Sequence, residues 1–120
     1  MDEFGVATAA SDTGTFVVSA YGDVDLVTAP ELETELLDAV RLRARRVFVD
    51  LTRTTFFDSS AVHALLRSGE RLQASGLHVG IVCSNPNVRK VLEITGVDRT
   101  LRIHATIEQA ISLIPAGSYA

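Results

Sequence analysis

The segment TTFFDSSAVHALL, residues 54–66, places a carboxylate and two adjacent hydroxyls directly before an apolar pattern with helical spacing. Asp58 or Ser59 at the helix N-cap could accept a hydrogen bond from a backbone amide two or three residues on, and losing such a cap costs about 1 kcal/mol. One capping residue is enough for a helix, yet the sequence has three candidates in a row, Asp58, Ser59 and Ser60. An exposed serine at a helix N-terminus can also carry a phosphate, because the helix dipole favours negative charge. From the residues alone, this segment could be a plain helix cap or could contain a phosphorylation switch. The plain cap is the favoured interpretation.

Catalytic chemistry is a weaker interpretation of the same segment. His63 lies four residues after Ser59, so the pair could hydrogen bond across one helical turn. A nucleophilic serine also needs an oriented base and an oxyanion site, and the G-x-S-x-G elbow is missing. His78, His104 and the single cysteine, Cys83, show no metal-ligand spacing, and no phosphate-binding glycine loop is present. We therefore expect that the protein is not an enzyme and that it has neither a metal site nor a cofactor.

Composition restricts the classes of partner. The chain has 120 residues and a net charge of -4, which suits one domain over residues 1–120 and argues against a general nucleic-acid binder. No apolar run approaches the length of a membrane span, and the N-terminus is acidic where a signal peptide would be basic. A lone cysteine fits a reducing compartment. We expect a cytoplasmic protein that binds neither nucleic acid nor membranes.

The elements that must position the serines alternate along the chain in the order β-β-α-β-α-β-α-β-α. This alternation predicts an α/β fold with a mixed or mostly parallel sheet, whose functional sites tend to lie at the carboxyl ends of strands. Residues 47–51, VFVDL, are apolar on both faces and predict a central strand just before the serines. We interpret residues 52–57, TRTTFF, as a linker. The second strand is expected to end at Gly22, followed by Asp23 and Asp25.

Two features flank the first predicted helix. Thr28 and Glu31 have the spacing of a capping box, with Pro30 in the first turn. The basic run RLRARR follows the helix and brings together Arg41, Arg43, Arg45 and Arg46. The simpler interpretation of this run is a solvent-exposed helix end, where cations interact favourably with the C-terminal end of the helix dipole. The alternative is a docking patch for an acidic partner.

Three segments resemble the STAS-domain family of bacterial anti-sigma factor antagonists, and the resemblance extends from about Thr15 to Ile114. The segments are GDVDLVTAPEL, VFVDLTRTTFFDSSAVHALL and LHVGIVCSNPNVRKVLEITGVDRTLRIHATIEQAI. The second contains a motif similar to the family's Asp-Ser-Ser/Thr-Gly-Leu. The resemblance implies a mixed sheet of about five strands with four helices packed largely on one side.

The resemblance also implies a mechanism of partner switching. The first serine after the aspartate, Ser59 in this sequence, would be phosphorylated by an anti-sigma factor that is a Ser kinase of the histidine-kinase-like ATPase fold. The unmodified protein would bind that kinase and release a sigma factor, and a PP2C-type phosphatase would reset the phosphorylated form. The residues expected to bind the partner are Asp23, Asp25, Asp58, Ser59, Ser60, Ala61 and His63.

One position departs from the family pattern. Ala61 stands where the family usually has glycine, and its methyl group is expected beside the site, where it could narrow the choice of partner. A ligand- or redox-sensing STAS module without a phosphorylation switch is the alternative function. Cys83 would be the redox-responsive group in that hypothesis, although a buried cysteine is usually inert packing.

Overall fold

A computed structural model describes residues 3–113 of the chain. The strands are β1 (Gly5–Ala10), β2 (Thr15–Val24), β3 (Arg46–Asp50), β4 (Thr54–Phe57), β5 (His78–Val82) and β6 (Arg102–His104). The helices are α1 (Ala29–Arg41), α2 (Ser59–Ala74), α3 (Pro86–Ile94) and α4 (Ile107–Leu113), with a 3₁₀ turn at Val97–Arg99.

The strands form a mixed sheet in the order β1-β2-β3-β5-β6. β1 and β2 are an antiparallel hairpin, and β3, β5 and β6 continue the sheet in parallel. Among the described strands, β4 pairs only with the end of β2, in parallel, so that Val24 lies opposite Phe57. The carboxyl ends of β2 and β4 therefore meet at one edge, and α2 begins directly after β4.

The helices occupy the two faces of the sheet unequally. The alternation of side chains along β3 sends Val47 and Val49 into the main core, while Phe48 points to the opposite face. The main core also contains buried side chains of three helices, among them Leu36 of α1, Leu65 of α2 and Leu92 of α3. α4 covers the other face through Ile107 and Ala110, which pack against Phe48 and Val82. The predicted α/β class, with helices largely on one side of the sheet, is confirmed.

The predicted linker over residues 52–57 was wrong in part, because Thr54–Phe57 forms the short strand β4. The second strand does not end at Gly22 but continues to Val24. Gly22 has a positive φ of 74°, and the pairing of β2 with β4 shifts register between Gly22 and Asp23. This irregularity lets β2 leave β3 and continue alongside β4, and only glycine adopts such a φ without strain.

The predicted capping box of α1 was also wrong. Thr28 is the N-cap residue, but its side chain caps no helix amide. Its hydroxyl instead donates to the Asp23 carbonyl at 3.0 Å and accepts from the Asp25 amide at 2.9 Å. The helix start is held by backbone bonds, including Ala29 N–H to the Asp25 carbonyl at 2.8 Å.

The basic run after α1 does not act as one surface. Arg46 is buried, with its Nε bonded to the Thr15 hydroxyl and its guanidinium 5.7 Å from the centre of the Phe48 ring. Arg41, Arg43 and Arg45 remain exposed. The expectation that all four arginines lie together on the surface was therefore wrong for Arg46.

Candidate functional site

The start of α2 is fixed by its N-cap residue, Asp58. The Asp58 carboxylate accepts a hydrogen bond from the Ala61 amide at 3.0 Å, and the Asp58 carbonyl accepts from the Val62 amide at 3.0 Å. The Asp58 amide donates to the Val24 carbonyl at 3.3 Å, which ties the cap to the end of β2. Asp58 therefore meets the capping requirement alone, and neither serine hydroxyl is needed for it.

The two serines that follow differ in accessibility. Ser59 is exposed and Ser60 is half-buried. Neither hydroxyl forms a hydrogen bond with any residue from 3 to 113, so that replacing the hydroxyl hydrogen of Ser59 would break no internal contact. His63 is exposed one turn further along, and no hydrogen bond joins it to Ser59 within the described range.

The two aspartates at the end of β2 have different roles. Asp23 is half-buried, and its carboxylate accepts a hydrogen bond from the Thr55 hydroxyl at 2.8 Å, across the β2–β4 pairing. Asp25 organises its own loop, because its Oδ1 accepts from the Val27 amide at 2.9 Å and the Thr28 amide at 3.1 Å. Asp25 therefore acts by shaping the loop, whereas Asp23 borders the edge that contains Ser59.

The structure adds three apolar residues that the sequence did not single out. Leu26 and Val27 are 73% and 83% exposed at the tip of the Asp25 loop, and Phe56 is 52% exposed in β4, opposite Asp23. We call Leu26, Val27 and Phe56 the apolar rim. Exposed apolar residues gathered at one edge of a protein are typical of a protein-binding surface. The adjacent pair Phe56 and Phe57 was the available signal, since only Phe57 is buried.

Ala61 does not lie on this surface. Its side chain is 0% exposed and belongs to the main core beneath the first turn of α2. The expectation that its methyl group contacts a partner is therefore corrected. Its amide contributes instead, through the hydrogen bond to Asp58.

Other reactive groups lie away from Ser59 or are inaccessible. Cys83 is fully buried at the end of β5, and burial raises the pKa of its thiol. Between residues 3 and 113, no three side chains of His, Cys, Asp or Glu come together in a way that could hold a metal ion. In the same range, no helix combines the length and the apolar character needed to cross a membrane.

Comparison with known proteins assigns the family. The STAS domain family matches residues 7–110, which is most of the chain, and the chain therefore belongs to the STAS domain family. The resemblance seen in the sequence is confirmed.

Three related proteins illustrate the match. The chain is 27% identical to the anti-sigma-F factor antagonist RsfB of Mycobacterium tuberculosis, over 92% of this chain and 89% of that protein. The crystal structure of an anti-sigma factor antagonist from Mycobacterium paratuberculosis has a TM-score of 0.85 at 28% identity, covering 94% of this chain and 95% of the other. The phosphorylated form of SpoIIAA, a Bacillus cell fate determinant, has a TM-score of 0.70 at 22% identity, covering 92% and 99%. The last likeness shows the fold alone.

Proposed function

We propose that this protein is an anti-sigma factor antagonist that is switched off by phosphorylation of Ser59. In its unmodified form it binds an anti-sigma factor with the histidine-kinase-like ATPase fold, and this binding releases a sigma factor. The anti-sigma factor phosphorylates Ser59, and a PP2C-type phosphatase removes the phosphate. The protein is then a substrate and a binding partner rather than an enzyme. The observation that carries the proposal is the exposed, unbonded Ser59 hydroxyl directly after a cap that does not need it.

The first turn of α2 can accept a phosphate without loss of the fold. The amides of the first helical residues have no partner within the helix, and the positive end of the helix dipole lies at the same place. Only one of these amides, that of Ala61, is bonded by the cap. A phosphate on Ser59 would therefore be placed favourably in the free protein.

A phosphate would act against binding in the complex. A phosphoserine adds a charge of about -1.5 to -2. In a complex centred on Ser59 this charge would be desolvated beside the carboxylate of Asp58, the preceding residue. Like-charge juxtaposition in an interface costs several kcal/mol, and about 3 kcal/mol weakens binding roughly a hundredfold.

The partner surface that we propose combines polar and apolar parts. The polar part consists of Asp23, Ser59 and Ser60, with His63 at its margin. The apolar rim supplies contact area, because aromatic side chains such as that of Phe56 are enriched at protein interfaces and bury a large area there. Asp25 supports this surface by holding the loop that presents Leu26 and Val27.

The experiment measures binding to a purified anti-sigma factor kinase by calorimetry for the wild type, Ser59→Ala and Ser59→Glu. We expect Ser59→Ala to bind like the wild type and Ser59→Glu to bind at least about tenfold more weakly. Ser75→Glu is the matched control, because it introduces the same charge at an exposed position at the other end of α2. Equal binding by Ser59→Glu and Ser75→Glu would contradict the switch.

Peptide mapping after incubation with the kinase and ATP identifies the acceptor directly. We expect one phosphate, on Ser59, and none in the Ser59→Ala variant. Phosphate on Ser60 would show that Ser60 is the acceptor in place of Ser59. The absence of phosphate from both serines would overturn the proposed switch.

A further inference from the structure

A second surface lies at the opposite end of the sheet from Ser59, in the turn between α1 and β3. Arg41, Arg43 and Arg45 are exposed there, and we call these three residues the basic turn. β3 starts directly after the turn and pairs in parallel with β2, so the turn lies at the amino ends of these strands. β2 has ten residues, which places the two ends about 30 Å apart. A partner at the basic turn would therefore not touch Ser59.

The backbone of the basic turn is held rigidly. α1 ends with the Ala44 amide bonded to the Ala39 carbonyl at 2.9 Å and the Arg43 amide bonded to the Val40 carbonyl at 3.1 Å. This is the Schellman pattern, in which the residue after the cap takes a left-handed conformation. The Arg45 amide donates to the Gly14 carbonyl at 2.8 Å, which fixes the turn to the β1–β2 hairpin. A partner would meet side chains presented on an ordered backbone.

The residue at the left-handed position is unusual. Arg43 has a φ of 61°, and it is the one residue other than glycine with a positive φ between residues 3 and 113. Glycine is the usual residue at this point of a Schellman motif, because a Cβ is strained there. Strained backbone positions concentrate at functional sites. An arginine in this place adds a cation to the surface at the expense of local stability.

Two of the three charges of the basic turn have no ion-pair partner among residues 3–113, and the third forms only an exposed, weak ion pair. Arg41 is 3.7 Å from the Asp38 carboxylate, with its side chain still 70% exposed, and Arg43 and Arg45 take part in no ion pair among residues 3–113. Leu42, which is 52% exposed, and Val40, which is 38% exposed, lie among these arginines. The chain as a whole carries a net charge of -4, so this cationic and apolar surface contrasts with the rest of the molecule.

We propose that the basic turn is a second docking surface for an acidic protein segment that carries an apolar side chain. The guanidinium groups would pair with carboxylates, and Leu42 would contact the apolar side chain. Arginine suits this role because its planar group bonds a carboxylate in a bidentate manner. Because the surface is remote from Ser59, this partner would stay bound in both states of the proposed switch.

The experiment uses the ¹⁵N-labelled full-length chain and a synthetic twelve-residue peptide of Glu, Asp and Leu. Titration followed by NMR is expected to shift the amides of residues 40–45 in a saturable manner. Combined Arg41→Gln, Arg43→Gln and Arg45→Gln should weaken binding about tenfold. The matched control is Arg89→Gln, Arg99→Gln and Arg102→Gln, which changes the net charge equally and should bind like the wild type.

Two further variants test the strain at Arg43 and the independence of the basic turn from Ser59. Arg43→Gly is expected to raise the melting temperature and weaken peptide binding, because it relieves the strain and removes the cation. Ser59→Glu should bind the peptide like the wild type, whatever its effect on the anti-sigma factor. Equal losses in both triple variants, shifts centred outside residues 40–45, or tighter binding to single-stranded RNA or to anionic phosphatidylglycerol vesicles than to the peptide would overturn the proposal.

Discussion

The Asp58 carboxylate lies 3.0 Å from the Ala61 amide and caps α2, leaving the Ser59 hydroxyl free of any capping role. The structure therefore assigns the cap to Asp58, and the residue that we propose as the phosphorylation site is the next one along the chain. The carboxylate that starts the helix is also the negative charge that a phosphate on Ser59 would meet first.

This relationship predicts different effects for two substitutions of Asp58. Asp58→Ala should lower the free energy of unfolding by about 1 kcal/mol, because it removes the cap, whereas Asp58→Asn should keep nearly all of the stability. Asp58→Asn should also reduce the loss of partner binding that Ser59→Glu causes. In that background the new carboxylate no longer has the negative charge of Asp58 beside it. Urea denaturation and calorimetry measure the two effects. Equal destabilisation by both substitutions would contradict the assignment of this stability to the capping hydrogen bond, because the Asn side chain can accept that bond as well.

The apolar rim predicts that truncation of Phe56 weakens partner binding more than it lowers stability. Phe56→Ala should weaken binding to the anti-sigma factor by about tenfold to a hundredfold, as truncation of an important aromatic contact does. The free energy of unfolding should fall by only about 1 kcal/mol, because the residue is 52% exposed. Leu113→Ala, on α4 and 56% exposed, is the matched control and should bind normally. An unchanged affinity of Phe56→Ala would remove this residue from the interface.

His104 predicts a dependence of stability on pH. It is 4% exposed between the sheet and α4, its Nε2 has no hydrogen-bond partner among the described residues, and it contacts the Phe48 ring edge-on. Burial, and to a lesser extent the charge of Arg102, lowers the pKa of His104 from the ordinary value of 6.5. The unfolded chain thus binds a proton at a higher pH than the native chain does.

The contribution of His104 to stability should accordingly be complete above pH 6.5 and decrease as the pH falls from 6.5 towards the lowered pKa. Urea denaturation at a series of pH values for the wild type and His104→Leu measures this contribution. The exposed His63 and His78 are common to both proteins and cancel in the difference. A difference that does not vary between pH 5 and 7 would contradict the assigned pKa direction.

Cys83 predicts a chemically inert thiol in the native protein. Burial raises the pKa of the thiol, its Sγ is 3.7 Å from the Asn85 carbonyl, and the reactive species is the thiolate. At pH 7 a disulfide reagent should label the unfolded chain completely before measurable labelling of the native chain. Fast labelling of the native chain would favour the alternative function, a redox-sensing module.

The regular elements could be predicted from the sequence because their patterns are local. α2 repeats apolar residues at helical spacing, and its end near Gly76 follows a common sequence signal. β3 is apolar on both faces because helices cover it on both sides. The order of these elements was enough to place Ser59 at the carboxyl edge of the sheet.

The remaining features depend on contacts between distant residues. β4 has only four residues, and its burial pattern does not alternate, so it lacked the signal of a strand. The Thr28 hydroxyl was expected to cap α1, but the neighbouring Asp23 carbonyl and Asp25 amide compete for it. The burial of Arg46 and Ala61, and the exposure of Phe56, follow from packing that no short sequence pattern describes.

The attachment of β4 to β2 alone affects how reversible a modification of Ser59 would be. The five strands of the main sheet hydrogen bond to one another without using β4, and the serine follows β4 rather than any of those strands. In the proposed switch, a phosphate on Ser59 would be added and removed while the main sheet keeps the same hydrogen bonds. The lifetime of the phosphorylated state would then be set by the proposed kinase and phosphatase and not by refolding of the protein.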